Sequence, residues 1–158
     1  MRGALAAWGD DDRSVWVADS FRGLPPPDAE AWPADKGVDL SGVETLAVSR
    51  AEVEASFARY GLLDSQVRFL EGWFADTLPT APIGRLALLR LDGDLYQSTW
   101  EALENLYPKL SVGGVLIVDD YGAFEPCRRA VEDYRIKYEI SDEVIPVDWT
   151  GIWWQRTR

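Results

Sequence analysis

A chain of 158 residues with 47% apolar content is long enough to bury a core and short enough to form one domain. Twenty-seven acidic residues against sixteen basic ones leave a net charge of -11, which argues against nucleic-acid backbones and anionic membrane surfaces as partners. With no histidine, three lysines and one cysteine (Cys127), the chain has no imidazole chemistry, internal disulfide or cysteine zinc cluster, so Asp and Glu must carry any acid-base work.

A reducing, cytoplasmic setting is the default for such cysteine usage. No run approaches the roughly 20 apolar residues that span a bilayer, and the first residues lack a secretory-signal pattern, so a soluble protein is expected.

In chain order, residues 2–8 read as a short helix stopped by Gly9 and the Asp10-Asp11-Asp12 run, and Val15–Asp19 reads as a buried strand. Residues 22–47 carry prolines at 25, 26, 27 and 33, which predicts a long irregular segment of the kind that forms lids. Ser49 and Glu52 have capping-box spacing, and Val53, Phe57 and Tyr60 follow on one helical face until Gly61 supplies the stop.

Val67–Glu71 and Leu86–Leu91 read as strands, with residues 72–79 as a loop containing a short turn. A helix follows Tyr96 with Trp100, Leu103 and Tyr107 inward, and Gly113-Gly114 precede a strand over residues 115–118. Pro126 opens another helix, whose stripe is Cys127, Ala130, Val131, Tyr134 and Tyr138. Residues 143–147 and 151–156 have no helix between them and predict an antiparallel pair at one edge. The expected fold is mixed α/β: a mostly parallel sheet closed by an antiparallel hairpin, with ligands beyond the carboxyl ends of its strands.

Two apolar runs end in carboxylates: Leu91 is followed by Asp92-Gly93-Asp94, and Val118 by Asp119-Asp120. As neighbouring parallel strands they would bring these groups to one end of the sheet, with strands about 4.8 Å apart. Hard oxygen donors suit Mg²⁺ or Ca²⁺, and Mg²⁺ fits best because it is held by few carboxylates and keeps positions open. The competing reading is a set of solvated turn carboxylates. Asp19, at the end of its strand, suits the ribose hydroxyls of an adenosyl cofactor, or else caps a turn beside Ser20. A phosphate-loop ATPase is excluded because no G-x-x-x-x-G-K-[ST] occurs. Trp73 follows a strand end, where it could flank a purine; Trp100, Trp153 and Trp154 read as packing residues.

Five stretches, in order, resemble the macrocin O-methyltransferase family: VWVADSFRGLP around Asp19, EGWFADTLP from Glu71, LDGDLYQST from Leu91, YPKLSVGG from Tyr107 and VDDYG from Val118. The resemblance runs over nearly the whole chain. It implies a Rossmann-like class I methyltransferase sheet and an enzyme that uses S-adenosylmethionine and Mg²⁺ to methylate a sugar hydroxyl of an antibiotic or related glycosylated natural product. It further implies Asp92 as metal ligand and general base, Asp119 and Asp120 as further metal ligands, and Asp19 as ribose ligand. Gly72, Trp73 and Phe74 would lie beside the adenine, with residues 22–47 as a lid. The implied partner is a small glycosylated acceptor, and a homo-oligomer is compatible with it.

Family members carry a helical region and a first strand with a glycine-containing turn ahead of the counterpart of Val15–Asp19. No such turn precedes Val15 here. Residues 1–158 therefore read as a single, N-terminally incomplete methyltransferase domain. Its missing strand would lie centrally between those ending in Asp19 and Asp92, and the chain alone is expected to methylate poorly. A non-catalytic fragment retaining part of the fold stands as the alternative. A metal-dependent hydrolase is weaker, because it leaves the adenosyl-type features unexplained.

Overall fold

The computed structural model describes residues 1–158. The chain divides into two compact units, one of Met1–Pro25 with Leu40–Thr77 and the other of Pro26–Asp39 with Leu78–Arg158. No helix is long and apolar enough to cross a membrane.

The first unit is built on two parallel strands, β1 (Val15–Asp19) and β2 (Val67–Glu71), in continuous register from Val15 opposite Val67 to Asp19 opposite Glu71. Helix α1 (Arg2–Ala7) is tied down by Arg2, whose guanidinium donates to Asp64 at 2.5 Å. Helix α2 (Arg50–Arg59) starts at the expected capping box: the Glu52 amide donates to Ser49 Oγ (3.3 Å), and the Ser49 amide donates to the Glu52 carboxylate (2.9 Å). Phe57 of α2 and Phe21 both meet Phe69 of β2, with ring centroids 6.2 and 6.0 Å away. Tyr60 departs from the periodic reading. The helix ends at Arg59, so Tyr60 is its C-cap and is 74% exposed. The loop after β2 winds into the one-turn helix α3 (Phe74–Thr77).

The second unit carries β3 (Leu86–Leu91), α4 (Tyr96–Leu106), β4 (Leu110–Val118), α5 (Glu125–Lys137), β5 (Ile145–Pro146) and β6 (Ile152–Gln155). Its sheet runs β3-β4-β6-β5, with β3 parallel to β4 and the last two strands antiparallel, as expected of the final hairpin. β4 is longer than its apolar run. It begins at Leu110 and takes in Gly113 and Gly114, and the register slips between Leu86 and Leu88 before the pairing settles into Leu88 opposite Val115 through Leu91 opposite Val118. From the Leu86–Leu110 pair to the Leu88–Val115 pair β3 advances two residues and β4 five, and the longer β4 stretch contains Gly113 in a left-handed conformation (φ +82°). The strands ending at Asp19 and Glu71 are neighbours in one sheet and those ending at Leu91 and Val118 are neighbours in the other, each pairing parallel as expected.

The core of this unit lies between the sheet and two amphipathic helices. α4 buries Thr99, Ala102, Leu103 and Leu106, and α5 buries Pro126, Cys127, Ala130, Val131 and Tyr134. Tyr138 was expected in the α5 stripe. It is instead the helix C-cap, exposed, and its hydroxyl donates to Glu104 at 2.9 Å. Trp100 is only half-buried, stacked on Tyr96 at 5.8 Å and edge-on to Tyr134. Trp154 is fully buried, and its indole N–H donates to the Tyr107 hydroxyl at 3.2 Å.

Replacing Trp154 with Ala removes both this volume and this donor, and is expected to cost about 3–5 kcal/mol. Chemical denaturation followed by far-UV circular dichroism checks it; a midpoint within error of wild type would contradict the packing described.

Candidate functional site

In the first unit, the parallel register sets Asp19 and Glu71 side by side at the carboxyl ends of β1 and β2. The Gly72 amide donates to the Asp19 carbonyl at 2.9 Å, extending the pairing one residue past the strands. Asp19 Oδ1 accepts the Phe21 amide at 2.6 Å, so the turn-capping role weighed for this residue is present. That turn forces Phe21 into a left-handed conformation (φ +56°), with its ring buried. Beside it lies a cleft of about 320 Å³ lined by Ser20, Arg22, Glu71, Gly72, Trp73 and Asp76. Gly72 is required twice over: its φ is +140°, and a Cβ there would stand 2.7 Å from Thr77 Cγ2. Trp73 is exposed, while Phe74 is half-buried at the start of α3. The structure therefore brings Asp19, Gly72 and Trp73 to one end of one strand pair.

In the second unit, the register that pairs Leu91 with Val118 sets Asp92 opposite Asp119, and the Asp119 amide donates to the Leu91 carbonyl at 3.0 Å. Residues two apart on a strand share a face, so Arg90 lies on the side of Asp92. Its Nη2 reaches Asp92 Oδ2 at 3.1 Å and also contacts Asp119 Oδ2. Two of the expected metal ligands thus converge on a cation, and that cation is a guanidinium. Arg90 does not stand out in the sequence as a site residue, although its i+2 spacing from Asp92 is visible there.

Asp120 and Asp94 form a second pair. The Asp94 amide points at Asp120 Oδ2 (3.4 Å), and Asp94 adopts a left-handed conformation (φ +56°) that closes the turn after β3. Burial raises the Asp94 carboxyl above the usual range, with the Asp92 charge adding to it. Burial, then the charges of Asp94 and Asp92, push the Asp120 carboxyl up to about 6. The four carboxylates therefore divide into a pair compensated by Arg90 and a pair that is not. As the side chains stand, no three acidic groups come close enough together to enclose an ion.

The loop carrying Asp120 is braced from the other side. The Gly122 amide donates to the Thr150 carbonyl at 2.7 Å, and a Cβ on Gly122 would lie 2.2 Å from the Trp149 carbonyl oxygen, so only glycine lets the β5–β6 turn close on this loop.

The pattern that defines the macrocin-O-methyltransferase (TylF) family matches residues 1–156. The chain is 57% identical over 159 residues to the demethyldecarbamoylnovobiocin O-methyltransferase of Streptomyces niveus, an alignment covering 100% of this chain and 61% of that protein. It is 49% identical to the mycinamicin III 3''-O-methyltransferase of Micromonospora griseorubida, covering 99% and 62% respectively. Among solved structures, that of the O-methyltransferase NovP superposes with a TM-score of 0.97 at 57% identity, over 100% of this chain and 66% of that one. The calicheamicin methyltransferase CalS11 superposes at 0.72 with 18% identity, over 98% and 65%, a likeness of fold. The chain spans about three-fifths of the length of the curated relatives it matches.

The raised Asp120 carboxyl has a consequence for stability. The folded chain holds a proton there up to about pH 6, whereas the unfolded chain releases it near 4, so ionisation penalises the fold as pH rises through that window and the penalty is complete above it. Asp120→Asn, which keeps an acceptor for the Asp94 amide, is expected to gain about 1–2 kcal/mol at pH 7 after allowance for solvent screening, and almost nothing at pH 4. Thermal melts at the two pH values check this, and an equal effect at both would contradict it.

Proposed function

Because the chain belongs to the macrocin O-methyltransferase family, we propose that it serves S-adenosylmethionine-dependent methylation of a sugar hydroxyl on an antibiotic or related glycosylated natural product. Residues 1–158 are read as part of one methyltransferase domain acting in the cytoplasm on a small-molecule acceptor. The observation that carries the reading is the register of β3 with β4, which delivers Asp92 opposite Asp119 and Asp94 beside Asp120 at one strand end. Supporting it, the cleft beside Asp19 and Gly72 offers a carboxylate and a glycine-lined backbone of the kind that binds an adenosine.

In this reading Asp19 accepts hydrogen bonds from the ribose through the carboxylate edge not used by the Phe21 amide, and Gly72, Trp73 and Phe74 flank the adenine. S-adenosylmethionine supplies an electrophilic methyl: the sugar oxygen bonds to the methyl carbon as the carbon–sulfur bond breaks, leaving S-adenosylhomocysteine. In this reading the hydroxyl proton goes to a carboxylate at the ends of β3 and β4. Asp92 is the first candidate. Asp94 is a second, favoured by its burial and raised carboxyl, whereas Asp92 is engaged by Arg90.

Every donor at these strand ends is a hard carboxylate oxygen, and the crowding of negative charge at Asp120 is of the sort that a divalent cation relieves, so the donor set fits Mg²⁺. Asp92, Asp119 and Asp120 would hold it, with Arg90 giving up its two contacts. The ion would supply Lewis acidity, lowering the cost of deprotonating the sugar hydroxyl.

Calorimetric titration with S-adenosylhomocysteine tests the cofactor arm: binding is expected, weakened about 10-fold or more in Asp19→Ala and little changed in Asp92→Asn. No binding by the wild-type chain would sink the reading. Methyl transfer to demethyldecarbamoylnovobiocin as probe acceptor, by a chain extended upstream with the family's first strand and glycine-containing turn, tests the base. A variant that retains cofactor affinity and loses turnover identifies it, and turnover surviving in both Asp92→Asn and Asp94→Asn would remove both.

A further inference from the structure

The proline-rich segment contains a buried carboxylate that neither the cofactor cleft nor the proposed metal ligands use. Asp35 is 1% exposed. Its oxygens accept from backbone amides rather than from a basic side chain: the Tyr96 amide donates to Oδ1 at 2.6 Å and the Gln97 amide to Oδ2 at 3.0 Å. These are first-turn amides of α4, which would otherwise lack partners. The residue at the helix's own N-cap position is Leu95, which has no side-chain acceptor. Asp35 is therefore the cap of α4, delivered from 61 residues away, and its charge is placed where the helix dipole favours it.

What lies immediately before α4 gives the contact its meaning. The Leu95 amide and the Ser98 hydroxyl both donate to the Gly93 carbonyl, so the turn bearing Asp92 and Asp94 is fastened to the first turn of the helix that Asp35 caps. The segment itself is organised around Asp35. Asp28 Oδ1 accepts the Ala31 amide at 3.0 Å, Trp32 places its ring 5.8 Å from that of Tyr96, and Pro33–Asp35 form a 3-10 turn that aims the carboxylate inward.

We propose that Asp35 is a positioning residue, a clamp through which the segment over residues 28–39 and the Asp92–Asp94 turn are held in place together. Seating of the segment then sets the carboxylates, and loss of the clamp releases both. The functional weight of this coupling rests on reading that turn as the catalytic end of β3; the coupling itself does not.

Hydrogen exchange of the 158-residue chain, followed by mass spectrometry, compares wild type with Asp35→Asn over residues 28–39, 92–99 and 127–135. Losing a charge-assisted cap is expected to speed exchange about 10–100-fold over both 28–39 and 92–99, with 127–135 unchanged. Acceleration confined to 28–39 would overturn the proposal. Trp32→Ala, which leaves the carboxylate in place, is expected to loosen 28–39 alone; equal loosening of 92–99 would mean that ring packing, and not Asp35, transmits the restraint. Should the Asn variant fail to fold, Asp35→Ser, with a single uncharged acceptor, replaces it: faster exchange over both segments supports the clamp, and acceleration confined to 28–39 overturns it. Titration with Mn²⁺ adds a second reading: affinity is expected to fall several-fold in Asp35→Asn, and unchanged affinity would overturn the positioning role. Absence of Mn²⁺ binding in the wild-type chain would count against the proposed metal site instead, and exchange alone would then decide for or against Asp35.

Discussion

The parallel pairing of β3 with β4 is the constraint from which the chemistry of this chain follows. Strand neighbours at fixed register have no freedom to keep their end residues apart, so an apolar run ending in Asp92 beside one ending in Asp119 and Asp120 must crowd negative charge into a few ångströms. Two local devices accommodate that crowding. Alternation along the strand puts Arg90 on the side of Asp92, where one guanidinium serves two carboxylates, and the left-handed turn at Asp94 carries the remaining pair into a half-buried setting. The second device leaves charge uncompensated, which is costly in a folded protein unless something else comes to it.

Most of this architecture was legible in the residues. Short apolar runs, a capping box at Ser49 and a proline at the first turn of α5 identify the elements with little help from packing. The periodic stripes erred at helix ends: Tyr60 and Tyr138 continue the spacing of α2 and α5, yet each falls just past the last helical residue, where the chain turns away from its core face. Helical spacing says which face a residue would occupy and nothing about whether the helix reaches it. The extra length of β4 was hidden for a related reason, since two glycines read as a boundary when in fact the strand runs through both.

The site was legible as a set of residue types at strand ends and illegible as a set of partners. That Asp19 and Gly72 lie together follows from two apolar runs being neighbours, and the motif-level likeness to macrocin O-methyltransferases gave those positions their meaning. Which carboxylate faces Arg90 depends on side-chain direction, and the partnership of Asp35 with the Tyr96 amide spans 61 residues of chain. No local pattern encodes contacts of that range. Asp35 sits in a stretch whose composition signals irregularity, and burial of a charge is the last property such composition suggests.

The closeness of Gly122 to the Trp149–Thr150 backbone bears on how the chain comes to its final form. The loop that holds Asp120 leans on a turn some thirty residues further along, between β5 and β6, and β6 is itself paired with β4. During synthesis, which runs from the amino terminus, β3 and β4 can meet and α5 can cover them while the acidic loop still has nothing to rest against. The loop at the end of β4 thus gains this backbone support only after the turn between β5 and β6 has been synthesised.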